Sequence, residues 1–332
     1  MKRIFLFLSI FFVVFACEFS FTFTFTTPLR VLPKIGAIIY SKEFLPGLEG
    51  LKAGLISLGY SRSNAVLYKE YIIDGDLSRI ENIMDELKRD GFEIIFVTTT
   101  PAAKKVFSLN DKYRFQVVFN EVADPLSAGI AKNMDEPGMN FTGVSHAALR
   151  MIPKRFEILK EFLPELERVY FLKGKFEHMF PGEDELLGEV SKFTGLEIKT
   201  FDISSEESLA ALKNEIHKEE VKGAAIMLGL SPELVRRFDV IKGLSVTYGV
   251  PVMSMDSSLV RLGATISYAP EFYHVGYQSA YILDMILKGA KASDVPVQMP
   301  AEIFMYLNES MVRAGSYAYE EQFFSYADEV IR

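Results

Sequence analysis

The sequence holds one cysteine in 332 residues, only four histidines, and no long basic cluster beyond its first residues. Each shortage removes a class of function. A lone cysteine cannot close an internal disulfide, and a zinc site needs Cys or His ligands at close, recurring spacing. The histidines, His146, His178, His217 and His274, are scattered without that spacing, so no metal is expected. His217 sits in a Lys/Glu-rich stretch and reads as solvated, and His274, between Tyr273 and Val275, reads as structural. A formal net charge of −8 with no basic footprint argues against a nucleic-acid partner. No Gly-x-x-x-x-Gly-Lys loop and no Gly-x-Ser-x-Gly elbow is present, so neither catalytic residues nor a cofactor are expected. What remains is an ordinary globular composition, 49% hydrophobic and 24% charged, on a chain longer than one core usually serves.

The N-terminus is distinctive. Lys2 and Arg3 precede an apolar run from Ile4 to Ala16 broken only by Ser9, the form of a secretory signal. The run is short against the roughly 20 residues of a membrane span. It closes in Val14-Phe15-Ala16-Cys17, which resembles the lipobox of bacterial lipoproteins, where the cysteine becomes the lipid-bearing first residue. Two alternatives stay open. One is a plain signal peptide cleaved a few residues later; the other is an uncleaved anchor extended through Phe19, Phe21, Phe23 and Phe25. The expected order is a signal over 1–17, a Phe/Thr-rich tether over 18–30, and the folded part after it.

From there strand-like and helix-like segments alternate. Lys34–Tyr40, Ala65–Tyr71, Glu93–Val97 and Gln116–Phe119 read as strands. Between them, Leu45–Leu58 carries Leu48, Leu51, Leu55 and Leu58 at helical spacing, and Leu77–Lys88 and Pro101–Leu109 follow as helices. After the turn signal Pro137-Gly138 a second such series begins with Asn140–Val144. Its strands are Arg168–Leu172, Leu196–Phe201, Ala224–Leu228 and Pro251–Met253, with helices over 152–163, 183–194, 206–218 and 231–246. Repeated β-α alternation implies α/β architecture with parallel sheets, here two Rossmann-like lobes, the second starting near Gly143.

In open parallel sheets ligands bind beyond the carboxyl ends of the strands. Those ends carry Tyr40-Ser41, then Thr99-Thr100-Pro101, where a helix N-terminus could hold an anion or simply be capped. Asp124 follows the fourth strand and could face a ligand ammonium or cap the next helix. In the second series the equivalents are Ser145, Lys173-Gly174, Gly229, and Asp256-Ser257. Asp256 suits a cationic group and could also be an N-cap; the two roles can coexist.

Val118-Phe119-Asn120-Glu121-Val122-Ala123-Asp124-Pro125, running through Ala128-Gly129 to Pro137-Gly138-Met139-Asn140-Phe141-Thr142-Gly143-Val144-Ser145, resembles the ABC transporter substrate-binding family typified by tryptophan- and tyrosine-binding lipoproteins. The likeness recurs in Asp256-Ser257-Ser258-Leu259-Val260, in Phe272 to Gly276, and in Ser325–Arg332, which looks like that family's closing helix. It implies a type I periplasmic-binding fold, two lobes joined by three crossovers with the ligand between them. It also implies that the chain returns to the first lobe near Ser267–Ala269 and crosses again near Ser293–Pro296, giving lobes of 31–142 plus 268–293 and 143–267 plus 294–332. Carried over, Thr100, Pro101, Asp124, Ser145 and Asp256 would hold a ligand amino-acid group. The resemblance further implies an exported, monomeric binding protein serving an ABC permease with a separate ATPase, its only membrane contact a lipid on Cys17. Rivals are a ligand sensor for a signalling partner and a Rossmann-like enzyme. Departures from the family at Tyr40–Phe44, Lys173–Lys175 and Gly229–Leu230 leave the ligand open.

Overall fold

The computed structural model describes residues 32–61, 65–174, 182–218, 222–229 and 231–332. The apolar leader, Cys17, the tether, His178, Lys175 and Leu230 lie outside the described residues, as does the side chain of His217. Among the described residues no helix is long and apolar enough to cross a membrane.

The first half lays down β1 (Lys34–Ile39), α1 (Leu45–Ser57), β2 (Leu67–Ile72), α2 (Ile80–Arg89), β3 (Ile94–Thr98), α3 (Thr100–Tyr113), β4 (Gln116–Val122) and β5 (Phe141–Ser145). Its five strands form one sheet, β2-β1-β3-β4-β5, with every neighbouring pair parallel. Strands β1, β3, β4 and β5 are almost wholly buried, which is why they read as largely apolar runs rather than alternating ones. In α2 the buried Ile80, Ile83, Met84 and Leu87 recur at helical spacing with charged residues between them.

The second half adds α4 (Ala148–Phe162), β6 (Arg168–Lys173), α5 (Glu183–Thr194), β7 (Glu197–Asp202), α6 (Glu206–Lys218), β8 (Ala224–Leu228), α7 (Pro232–Arg236), α8 (Phe238–Tyr248), β9 (Val252–Ser254), α9 (Ser258–Leu262) and β10 (Ile266–Ala269). The chain closes with α10 (Phe272–Leu287), β11 (Phe304–Asn308), α11 (Glu309–Ala314), α12 (Phe323–Tyr326) and β12 (Glu329–Ile331). Seven strands form the second sheet, β12-β11-β10-β9-β8-β6-β7. One apolar cluster lies on each face of it, whereas a single cluster unites the first sheet with Phe272 to Val297. The chain therefore passes between the lobes three times: after β5, between β10 and α10, and again before β11.

Four expectations change. The second lobe does not start near Gly143, because β5 pairs with β4 along Phe141 to Ser145 and completes the first sheet. The expected closing helix is a short α12 followed by a strand, since Glu329 to Ile331 find backbone partners in Tyr306 to Asn308. The single helix expected over 231–246 is broken at Arg237 into α7 and α8. The second sheet is not purely parallel: β11 runs antiparallel to β10, because the chain leaves after β10 and re-enters from the other lobe.

α1 and α10 approach unusually closely through glycine. A Cβ on Gly276 would lie 1.8 Å from the carbonyl oxygen of Gly47, and one on Gly50 would lie 1.9 Å from that of Tyr273. These glycines let backbone meet backbone, which fixes where α10 starts and hence where Phe272 points.

Candidate functional site

The carboxyl ends of β3, β4 and β5 carry backbone strain. Thr99 has φ +70°, Glu121 φ +59° and Ala147 φ +55°. Positive φ is unfavourable for any residue with a Cβ and most of all for a β-branched one such as threonine. Such outliers persist where surrounding structure over-determines them, and they concentrate at functional sites. At Glu121 the cause is visible: the β4–β5 register shifts between Asn120 and Val122, a bulge that re-aims the intervening side chain.

Buried oxygens and nitrogens without partners gather at the same place. Thr99 Oγ1, Glu121 Oε2, His146 Nδ1 and Asp256 Oδ2 are all buried and unpartnered. All four residues line one cavity of about 70 Å³. The threonines beside Thr99 are used structurally: Thr98 Oγ1 accepts from the Tyr40 N–H at 3.0 Å, and Thr100 Oγ1 from the Ala123 N–H at 3.0 Å. The first sheet also contributes Pro101 and Phe44, and the second contributes Leu228, Gly229, Ser231, Leu234, Val235, Ser254, Met255 and Leu259. Phe272, where α10 begins, packs its ring 5.1 Å from that of Phe44 and closes one wall. On this measure a single water needs roughly 10–15 Å³, so the space suits a small solute.

The electrostatics are one-sided. Burial raises the Asp256 carboxyl to about 6, its hydrogen bonds from Ser258 oppose the rise, and Glu271 adds to it. Burial likewise pushes the Glu121 carboxyl well above the ordinary carboxylate range, reinforced by the charge of Asp256. The Glu121 Oε1 accepts from Asn120 Nδ2 at 2.9 Å, and Ser279 Oγ donates to Asn120 Oδ1 at 2.9 Å. Burial, with the nearby Arg155 guanidinium, lowers the His146 imidazole to about 3, so it is neutral at physiological pH. Among the described residues no three His, Cys, Asp or Glu side chains are arranged to hold a metal ion.

The residues expected from sequence divide into two groups. Thr99, Thr100, Pro101, Gly229 and Asp256 line the cavity. Asp256 combines both anticipated geometries, since Oδ1 accepts the Ser258 N–H at 2.8 Å while Oδ2 is left over. Among the described residues no helix follows directly on Asp124, which is instead committed to a turn: its Oδ1 accepts from the N–H groups of Leu126 and Ser127. Ser145 is consumed by backbone, donating toward Val122 and Ala123 carbonyls and accepting from Ala147. Ser41, its hydroxyl buried and unpartnered, and Ser257, preceding α9, lie beside the cavity rather than in its lining. Lys173 is committed to Glu183 and Asp184. Glu121, His146, Phe44 and Phe272 were not anticipated as lining. A carboxylate next to Asn120 within the mostly apolar stretch Val117 to Val122 was the available signal for Glu121.

Tyr40, outside the lining, joins the two lobes instead. Burial raises its hydroxyl, and the guanidinium of Arg236 from α7 opposes that rise. That guanidinium fits because Gly75 has no side chain; a Cβ there would stand 2.8 Å from Arg236 Nη1. Because this polar contact joins the two lobes, Arg236→Ala should weaken ligand binding by about threefold to tenfold, the worth of one ordinary polar contact. Calorimetric titration checks this; an unchanged affinity would show that the contact adds nothing to closure.

Comparison with known proteins places this arrangement. A family model described as ABC transporter substrate binding protein matches residues 35–331. A tyrosine-binding protein of Clostridioides difficile (strain R20291) is 21% identical over 274 residues, 81% of this chain and 77% of that one. A solved ABC domain in complex with L-Trp from Streptococcus pneumonia superposes with TM-score 0.79 at 21% identity, covering 91% of this chain and 100% of that one. The ligand-free, open structure of a substrate-binding protein with adhesive properties from Clostridium difficile gives TM-score 0.68 at 19% identity, over 87% and 97%.

Proposed function

The chain belongs to the ABC transporter substrate-binding protein family, and from that premise we propose that it captures an amino acid between its lobes outside the cytoplasm and delivers it to an ABC importer. The observation that carries the ligand class is the pairing of opposite preferences in one cavity. The N-terminus of α3 has no side-chain cap, and its first N–H groups suit a ligand carboxylate. Asp256, with one oxygen uncommitted, suits an ammonium. Phe44, Phe272, Leu234 and Met255 supply an apolar surround for the rest of the molecule. The relatives that bind tyrosine and L-Trp support an amino acid over a sugar.

A ligand touching both lobes stabilises their closed arrangement only through its greater affinity for that state. Export rests on the charged, apolar leader, and attachment to the outer face of the cytoplasmic membrane rests on lipid at Cys17. No second chain is required by the site, and we take the protein to act as a monomer.

Thermal unfolding with amino acids, sugars and nucleosides tests the ligand class. At a ligand concentration a hundredfold above Kd the right class adds about 2.7 kcal/mol, a rise of roughly 5–10 °C. A response to sugars or nucleosides and to no amino acid would overturn the reading. Metabolic labelling with a fatty acid, lost in Cys17→Ala, tests the anchor.

A further inference from the structure

The cavity contains two carboxyl groups, Glu121 from the first lobe and Asp256 from the second, each with an uncommitted oxygen. Among the described residues lining it there is no lysine or arginine. The remaining ionisable group, His146, is neutral, and the Arg155 behind it is turned to the Tyr268 carbonyl through Nε at 2.8 Å. The charges that bear on the two carboxyl groups are themselves acidic: Asp256 acts on Glu121, and Glu271 on Asp256. From α1, Gly47 faces Glu121 with no charge, and from α10, Ser279 reaches it only through Asn120.

This placement is built rather than incidental. Glu121 stands in a bulge at positive φ, its Oε1 held by Asn120, which Ser279 in turn holds. Gly47 leaves the room it occupies, since a Cβ there would be 2.5 Å from Oε1. An apolar residue at 121 would relieve a buried polar atom, yet the local geometry is committed to the carboxyl. A buried charge without a counter-charge is costly, so the empty closed cleft disfavours ionising both carboxyl groups, and a cation is what makes two carboxylates tolerable there.

We propose that the cleft selects an amino acid carrying a second cationic nitrogen, one positive group seated on Asp256 and the other on Glu121, so that the ligand bridges the lobes by neutralising the pair. This rests on the amino-acid reading above and narrows it to basic side chains on an apolar stem. A neutral amino acid brings one ammonium to two carboxyl groups; a basic one matches both. In the empty closed cleft burial and the charge of Asp256 favour the protonated form of Glu121. The arriving cation displaces that proton to solvent, so affinity rises as pH rises.

The test is calorimetric titration of the purified protein with L-lysine, L-ornithine, L-tyrosine and L-tryptophan at several pH values from 6 upward. Lysine or ornithine should bind at least about tenfold tighter than either aromatic amino acid, with affinity climbing by up to about tenfold per pH unit. Glu121→Gln keeps the carbonyl that Asn120 holds; it should cost the basic ligand about 30-fold or more and abolish the pH slope. Tighter binding of tyrosine or tryptophan, with affinity flat or falling as pH rises, overturns this inference and leaves the amino-acid reading standing. Binding of neither lysine nor ornithine overturns this inference, whereas the amino-acid reading falls only if no amino acid binds. The wild-type pH profile decides the matter even if the variant does not fold.

Discussion

Replacing Asp256 with asparagine should remove ligand binding while leaving the empty protein at least as stable at neutral pH. Asparagine keeps the oxygen that accepts the Ser258 N–H at 2.8 Å, so the turn into α9 survives. What disappears is the charge on the other, uncommitted oxygen. Losing one member of a buried charge pair with the ligand should cost at least about 30-fold in affinity and up to several thousandfold. The carboxyl is raised from 3.8 to about 6, so the fold favours its protonated form. Its stabilising contribution is therefore complete below about pH 4 and lost as pH rises through 6, a loss of about 3 kcal/mol. Wild type should thus fall behind Asp256→Asn progressively between those values. The comparison cancels His146, which acts in the opposite sense: held at about 3, it loses stability as pH falls below 6.5. Thermal unfolding of both proteins across pH, with and without ligand, measures each part. A collapse of the empty variant with ligand binding intact would mean that Asp256 serves only as a cap.

Gly276→Ala should cost about 3 kcal/mol or more, at the upper end for overpacking, because the atom it would strike is backbone and cannot rotate away. The new methyl group would stand 1.8 Å from the Gly47 carbonyl oxygen and 2.6 Å from its carbon. Gly50→Ala should do the same from the other helix, against Tyr273 O at 1.9 Å. Either change forces α1 and α10 apart and carries Phe272 away from Phe44, so ligand affinity should fall with stability. Gly188 offers the contrast: it lies within α5 with nothing inside 4 Å of its would-be Cβ. Gly188→Ala should therefore be neutral or stabilising by up to about 1 kcal/mol. Denaturant unfolding of the three variants checks the ranking; a loss under 1 kcal/mol at Gly276 would mean that the helix pair separates freely.

Much of this molecule was open to reading before any coordinates. The apolar runs at Lys34–Ile39, Ile94–Thr98 and Ala224–Leu228 announce strands because a parallel sheet buried on both faces admits little else. The stripe of Ile80, Ile83, Met84 and Leu87 announces a helix because 3.6-residue periodicity is a local property. Nothing local marks the need for glycine at 50 and 54, since the α10 backbone they approach is more than 200 residues away. For the same reason Ser325–Arg332 was taken for helix: the strand partner that claims Glu329 to Ile331 is visible only in three dimensions.

The cleft divides along that line. Thr99, Thr100, Pro101 and Asp256 could be named in advance because ligands gather at strand ends and strand ends can be counted along a sequence. Which of those groups is left unsatisfied could not, because satisfaction is a property of neighbours. Asp124 and Ser145 found backbone partners and were consumed, whereas Asp256 kept one oxygen and Thr99 its hydroxyl. Glu121 needed a bulge to turn it toward the cavity. The sequence by itself determined most of the β-α elements and the strand ends at which the cavity lies. Only the tertiary structure decided which polar atoms remain free there, because burial and hydrogen bonding are settled between residues that the chain holds far apart.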